Sequence, residues 1–246
     1  DTIEGNASNN TLDGAAGIDT ITFENAVAGV TVDLSTTSAQ STGNDGTDKI
    51  VNFENLTGTN QIDNLTGDAN TNIINGLNGN DIIDGAGGVD TLYGGLGNDK
   101  FIVKIGDGND TINGYLAGQT DIDDSSNKDT LDYSQVTSAG YYFADVDLAT
   151  TSAYVKNGNH TTNTIEQTDT ISNIENIIGS SGDDIFKGNS EANDISGGSG
   201  NDTISGGAEA DILKGNSGDD VFTDTNFTGD TIDGGTHTVD NLGTQS

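Results

Sequence analysis

Apolar residues return every nine positions along much of the chain, and an acid or its amide precedes each by two places. In the later array Phe186, Ile195, Ile204, Leu213 and Phe222 follow Asp184, Asn193, Asp202, Asp211 and Asp220. An earlier array has the same form: Leu65, Ile74, Ile83, Leu92 and Phe101 follow Asp63, Asn72, Asp81, Asp90 and Asp99. The chain opens in this phase too, with Ile3, Leu12 and Ile21 behind Asp1, Asn10 and Asp19. Single units sit around Asp48 and Asp110. Side chains alternate faces in a strand, so the fragment from acid to apolar residue predicts a very short strand with the apolar residue inward. The glycine-rich half of each unit, such as Gly197 to Gly200, predicts a turn, because glycine reaches backbone angles closed to other residues. One turn and one strand use nine residues. Two units then close a coil with strands on opposite sides, and stacked coils bury a thin apolar core. Repeats of this kind imply an all-β solenoid or array rather than one globular core.

With glycine at place one, the acid stands at place six. Stacking puts the acid of one unit beside that of the unit eighteen residues on. Asp63, Asp81 and Asp99 form one column, with Asn72 and Asp90 on the opposite side; Asp184, Asp202 and Asp220 face Asn193 and Asp211. Stacked bare carboxylates repel, and a hard dication between them relieves the repulsion. Calcium fits, since it accepts about 6–8 carboxylate and carbonyl oxygens, whereas magnesium holds a stricter octahedron and keeps its waters. Zinc and copper lack their usual ligands, because cysteine is absent and there are only two histidines.

The units GGSGNDTIS, GLNGNDIID and GGLGNDKFI resemble the calcium-binding nonapeptide GGxGxDxUx of the RTX (repeats-in-toxin) proteins. The resemblance implies a parallel β-roll, a solenoid stabilised by several calcium ions, that folds on calcium binding and leaves the cell by type I secretion. It implies side-chain ligands at Asp81, Asp90, Asp99, Asp202, Asp211 and Asp220, and at Asp19, Asp48, Asp63, Asp110 and Asp184 in the same phase. Carbonyls of turn residues such as Gly79, Gly97, Gly200 and Gly218 would complete the sites. Asn72 and Asn193 offer neutral ligands and weaker sites. Glu54 and Glu175 take the acid's place in two shortened units, either as ligands or as solvated side chains. Ala208, Glu209 and Ala210 replace turn glycine ahead of Asp211, which puts backbone ligation there in doubt.

A longer period overlies the short one. DTITFENA at Asp19 recurs as DTLDYSQV at Asp129, VDLST at Val32 as VDLAT at Val146, and TDKIVNFENLTG at Thr47 as TDTISNIENIIG at Thr168. We therefore expect one unit over 1–120 with an insertion near 24–42, a second over 121–246 with an insertion near 133–162, and the start of a third copy near 230 at Asp230, Ile232, Asp240 and Leu242. Val30, Val32 and Leu34 alternate with polar residues and predict a half-buried strand. Asn157-Gly158 predicts a hairpin turn. Tyr141, Tyr142, Phe143 and Tyr154 either pack on the roll or contact a sugar or a partner.

Composition changes this picture in one respect. The chain carries 40 acidic and 7 basic residues, a net charge of -33, with 30% hydrophobic residues. That balance marks a disordered chain. The register between acids and apolar residues argues instead for a chain that folds once cations neutralise it. Without a basic patch, nucleic acid is excluded as a partner. No run approaches the ~20 apolar residues of a membrane span, and no signal peptide is recognised. The chain reads as a piece of something longer. His-Glu-x-x-His and Gly-x-Ser-x-Gly are absent, and His160 and His237 stand alone, so no enzyme activity is expected. The expected function is a calcium-binding structural or adhesive module of a large secreted bacterial surface or matrix protein, such as an adhesin or S-layer protein. Self-assembly or a cell-surface or polysaccharide ligand would be its partner. The alternative is an accessory module of a secreted protease, lipase, polysaccharide epimerase or toxin.

Overall fold

The computed structural model describes all residues except 44–45, 117–126, 138–141, 160–161, 224–226, 237–240 and 243–246; for 157–159, 162–163 and 241–242 it describes the backbone alone. No α-helix occurs among the described residues, and strands run in long parallel ladders, so the fold is an all-β parallel roll. The chain divides into two compact units, Asp1–Ile102 with Asp107–Asp129, and Thr130–Ser246 with Val103–Gly106. The expected boundary at 120 lies outside the described residues; the units change over at Asp129 and Thr130.

In the first unit the coil of eighteen residues is explicit. Ile82 pairs with Asn64 and Ile83 with Leu65 in one sheet, while Thr91 pairs with Ile73 and Leu92 with Ile74 in the other. Between the two sheets lie Leu65, Ile74, Ile83, Leu92 and Phe101, each with 1% exposure or less. The second unit repeats this with Phe186, Ile195, Ile204, Leu213 and Phe222, stacked through Ile204 on Phe186 and Leu213 on Ile195. The early residues Ile3 and Leu12 are only half-buried, whereas Ile21 is fully buried.

The insertions extend the rolls. Thr31–Asp33 lies parallel to Asn64–Thr66, and the alternation of Val30, Val32 and Leu34 puts all three in the core. In the second unit Tyr142–Asp147, Ser152–Asn159 and Thr162–Ser172 form an antiparallel meander, whose first strand runs parallel to Ile185–Lys187. Asn157-Gly158 does not turn. Both residues lie inside the second strand, opposite Thr164 and Asn163, and the pairing runs on to Asn159 opposite Thr162. A register shift at Val155/Lys156 accompanies the longer pairing. Of the aromatics, Phe143 is buried, and Tyr154 carries the Lys156 ammonium 5.1 Å from its ring centre. Tyr141 lies outside the described residues.

The long repeat is realised atom by atom. Asn52 and Asn173 take the same left-handed φ, 59° and 54°. Leu34 donates its N–H to Thr66 at 3.0 Å, as Leu148 does to Lys187 at 2.9 Å. Thr231–Asp233 continues the second unit by pairing with Ile212–Ser217. Asp240 lies outside the described residues.

Candidate metal centre

The acids stand in columns, and the backbone makes the first use of them. Asp63 donates its N–H to Asp81 Oδ1, and Asp81 donates its own to Asp99 Oδ1, both at 2.8 Å. Asp99 in turn donates to Asp129 at 2.7 Å. On the opposite side Asn72 donates to Asp90, and Asp90 to Asp110, at 2.8 Å. The second unit has Asp184 to Asp202 at 2.8 Å, Asp202 to Asp220 at 2.9 Å, Asn193 to Asp211 at 2.8 Å and Asp211 to Asp230 at 3.0 Å. One carboxylate oxygen is therefore spent on the coil below. Asp129 and Asp230 belong to the columns although neither was counted among the ligands; Leu131 and Ile232, two places on, carried the signal.

The second oxygen divides the units into two kinds. In the open kind, Oδ2 of Asp81, Asp90, Asp99 and Asp202 is buried and accepts no hydrogen bond; Asp19 and Asp230 share this state. Here place two holds a positive φ: 78° at Leu77, 65° at Ala86, 120° at Gly95, 103° at Gly198, 109° at Gly207 and 70° at Asn216. That backbone pairs with the next coil, Gly95 with Leu77 and Gly198 with Asn216, and so turns away from its own acid. Place four is also left-handed, at Gly79, Gly88, Gly97, Gly200 and Gly218, and at Glu209 in the unit of Asp211. A Cβ on Gly97 would overlap the Gly79 carbonyl oxygen. Asp110 has a turn of this kind, with Gly106 at 79° and Gly108 at 128°, and so does Asp19, with Ala15 at 67° and Gly17 at 141°.

In the closed kind the unit answers its own acid. Asp63 takes the Thr59 N–H on Oδ2 at 2.6 Å, with the Thr59 hydroxyl at 3.0 Å and the Val30 N–H at 2.7 Å on Oδ1. Asp184 takes the Ser180 N–H, the Ser180 hydroxyl and the Ala144 N–H, all at 2.7 Å. Asn72 Oδ1 accepts the Asp68 N–H at 2.8 Å while Nδ2 donates to the Glu54 carbonyl at 2.8 Å. Asn193 repeats this with Asn189 at 3.0 Å and Glu175 at 2.7 Å. Asp48 is closed by the Asn10 N–H and the Thr42 hydroxyl, both at 2.7 Å. At Asp48, Asp63, Asn72, Asp184 and Asn193 the structure thus gives protein donors to atoms that the spacing assigned to an ion. Place two holds Thr59, Asp68, Ser180 and Asn189 in these units, residue types that bond their own local backbone, but Asn216 at the same place takes the left-handed φ, so residue type there does not separate the two kinds. Glu54 joins a column, since its Oε2 accepts the Asp19 N–H at 2.8 Å.

Burial dominates the electrostatics of the ion-free chain. It pushes Asp81 and Asp202 up to about 8, Asp90 and Asp184 to about 7, and Asp99 and Asp110 to about 6; neighbouring aspartates in the columns add to this for Asp81, Asp90 and Asp202. Asp63 is raised by the same cause. Buried carboxylates raised in this way want a positive partner. Among the described residues no three His, Cys, Asp or Glu side chains gather around one point. An ion must therefore take most of its ligands from carbonyls, which the turns at Gly79, Gly97, Gly200 and Gly218 can supply. An all-oxygen donor set with buried unanswered carboxylate oxygens fits calcium and no softer metal. When bound, the ion supplies the positive charge that lets these buried carboxylates ionise.

The comparisons with known proteins agree. The RTX calcium-binding nonapeptide repeat matches the chain in four copies, over residues 1–21, 66–101, 170–204 and 196–223. The search of curated proteins found no match. The chain thus carries RTX calcium-binding nonapeptide repeats in both of its arrays.

Proposed function

We propose that the chain is a structural or adhesive module of a large secreted bacterial surface or matrix protein, folded by calcium after type I export. The observation that carries this reading is the set of buried aspartate oxygens without a donor, repeated at open turns in both arrays. With a net charge of -33 and these acids buried, the ion-free chain is self-repelling, and calcium affinity becomes folding free energy. Binding at about 10⁻⁴–10⁻³ M, the range of extracellular calcium modules, would keep the chain unfolded inside the cell and fold it outside. The acids are assigned to the backbone and the ion rather than to catalysis. No helix among the described residues is long and apolar enough to cross a membrane.

The test is far-UV circular dichroism of the chain during a calcium titration, with magnesium and EGTA controls. A cooperative gain of β signal with calcium alone is expected. A full β spectrum in EGTA would overturn the reading.

A further inference from the structure

We propose that each array begins with one coil that takes no calcium, Gly58–Asn75 in the first unit and Gly179–Ser196 in the second, and that the calcium-dependent coils build onto it. This rests on the calcium-folding reading above and divides the repeats within it.

The two half-coils of Gly58–Asn75 are both closed. The Asp63 carboxylate already accepts three hydrogen bonds, two of them from Thr59. An ion there would have to displace them. At Asn72 the amide does the work of a cation: its NH2 group donates to the Glu54 carbonyl and reaches Asp68 Oδ1 at 3.4 Å. The second unit reproduces each feature with different residues. Serine replaces threonine at Ser180, and the amide of Asn193 donates to the Glu175 carbonyl and reaches Asn189 Oδ1 at 3.4 Å. Neither coil carries a left-handed residue at place two, so neither adopts the open turn. The same order, one closed coil and then three turns left-handed at place two, in two copies that differ in these side chains, points to the closed pair as a unit. Leu65 and Ile74 in one, and Phe186 and Ile195 in the other, give it a core. Its upper face is ready to dock: the N–H groups of Asp63 and Asn72 point to Asp81 and Asp90, and those of Asp184 and Asn193 to Asp202 and Asp211. A chain gathering its first calcium-dependent coil therefore meets an ordered row of donors, and avoids part of the entropy of starting a solenoid from nothing.

Two measurements on the whole chain test this. The first is the number of calcium ions bound, by native mass spectrometry, in wild type, in Asp63→Asn/Asp184→Asn and in Asp81→Asn/Asp202→Asn. The first double variant is expected to bind as many ions as wild type but to need more calcium to fold; the second is expected to lose ions. Should Asp63→Asn/Asp184→Asn fail to fold, the milder Thr59→Ala/Ser180→Ala variant replaces it with the same expectation. Loss of ions from the closed-turn variant overturns the proposal. Loss from neither would instead overturn the ligand assignment of the open turns. The second measurement is amide exchange of wild type in EGTA. Slow exchange at Thr59, Asp68, Ser180 and Asn189 against fast exchange at Asp81 and Asp202 is expected. Equal, fast exchange at all six overturns the role of the closed coil in folding. Equal, slow exchange at all six overturns the calcium-folding reading itself.

Discussion

At the scale of the residue, each open aspartate does two jobs with two oxygens. Asp202 Oδ1 holds the Asp184 N–H, and Oδ2 waits for a positive partner. The two can be separated. Asp202→Asn keeps an oxygen for the N–H and removes a buried charge, so its ion-free form is expected to be at least as stable as wild type in EGTA. Its calcium midpoint is expected to rise by about tenfold or more, equivalent to about 1.4 kcal/mol. Asp202→Ala removes both oxygens and is expected to cost a further 1.5–3 kcal/mol or so, the worth of a hydrogen bond to a charged group. Chemical denaturation with and without calcium reads both. Glycine offers a second contrast. Gly97→Ala puts a Cβ into the Gly79 carbonyl at φ 127°, whereas the same change at Gly106, φ 79°, meets nothing within 4 Å. The first is expected to cost about 2–5 kcal/mol and the second about 1–2 kcal/mol.

At the scale of the element, the strands are two to six residues long in the arrays, too short to stand alone, and hold only because each is stacked in a ladder. Adjacent residues then have opposite fates. Leu213 is fully buried while Ile212 beside it faces solvent at 41% exposure. Leu213→Ala is expected to destabilise by about 2–5 kcal/mol, and Ile212→Thr by no more than about 0.5 kcal/mol, as read from denaturation midpoints in calcium. The arrays and their apolar column were legible in the sequence, because period two and period nine are both written in side-chain polarity. The hairpin was misplaced for a physical reason. Asn157-Gly158 favours a tight turn locally, but the antiparallel partner Thr162–Ser172 continues past it, and longer pairing outweighs one turn preference.

At the scale of the whole molecule, protons and calcium compete for the same oxygens. Burial in the fold raises Asp81 and Asp202 to about 8, and Asp90 to about 7, from the ordinary 3.8. Between those limits the folded chain holds more protons than the unfolded one, so the stability of the ion-free fold falls as pH rises through roughly 4 to 8 and is greatest at the acid end. In EGTA, more β signal is expected at pH 5 than at pH 8. Calcium must expel these protons, so its affinity is expected to climb over the same interval. Calorimetry in buffers of different ionisation heat would register proton release on binding at pH 6. A calcium affinity independent of pH would contradict the burial of these acids.

The sequence by itself determined the repeat, the inward residues, the columns of acids and the identity of the ion, because all four depend on residue type at fixed spacing. The tertiary structure alone decided which acids remain open to an ion. Asp63 and Asp81 look alike along the chain, yet Thr59 answers the first from within its own turn, and Leu77 is drawn away from the second by pairing with Gly95 of the next coil. That choice is made by hydrogen bonds between residues up to a full coil apart, and spacing along one chain does not show where an N–H points.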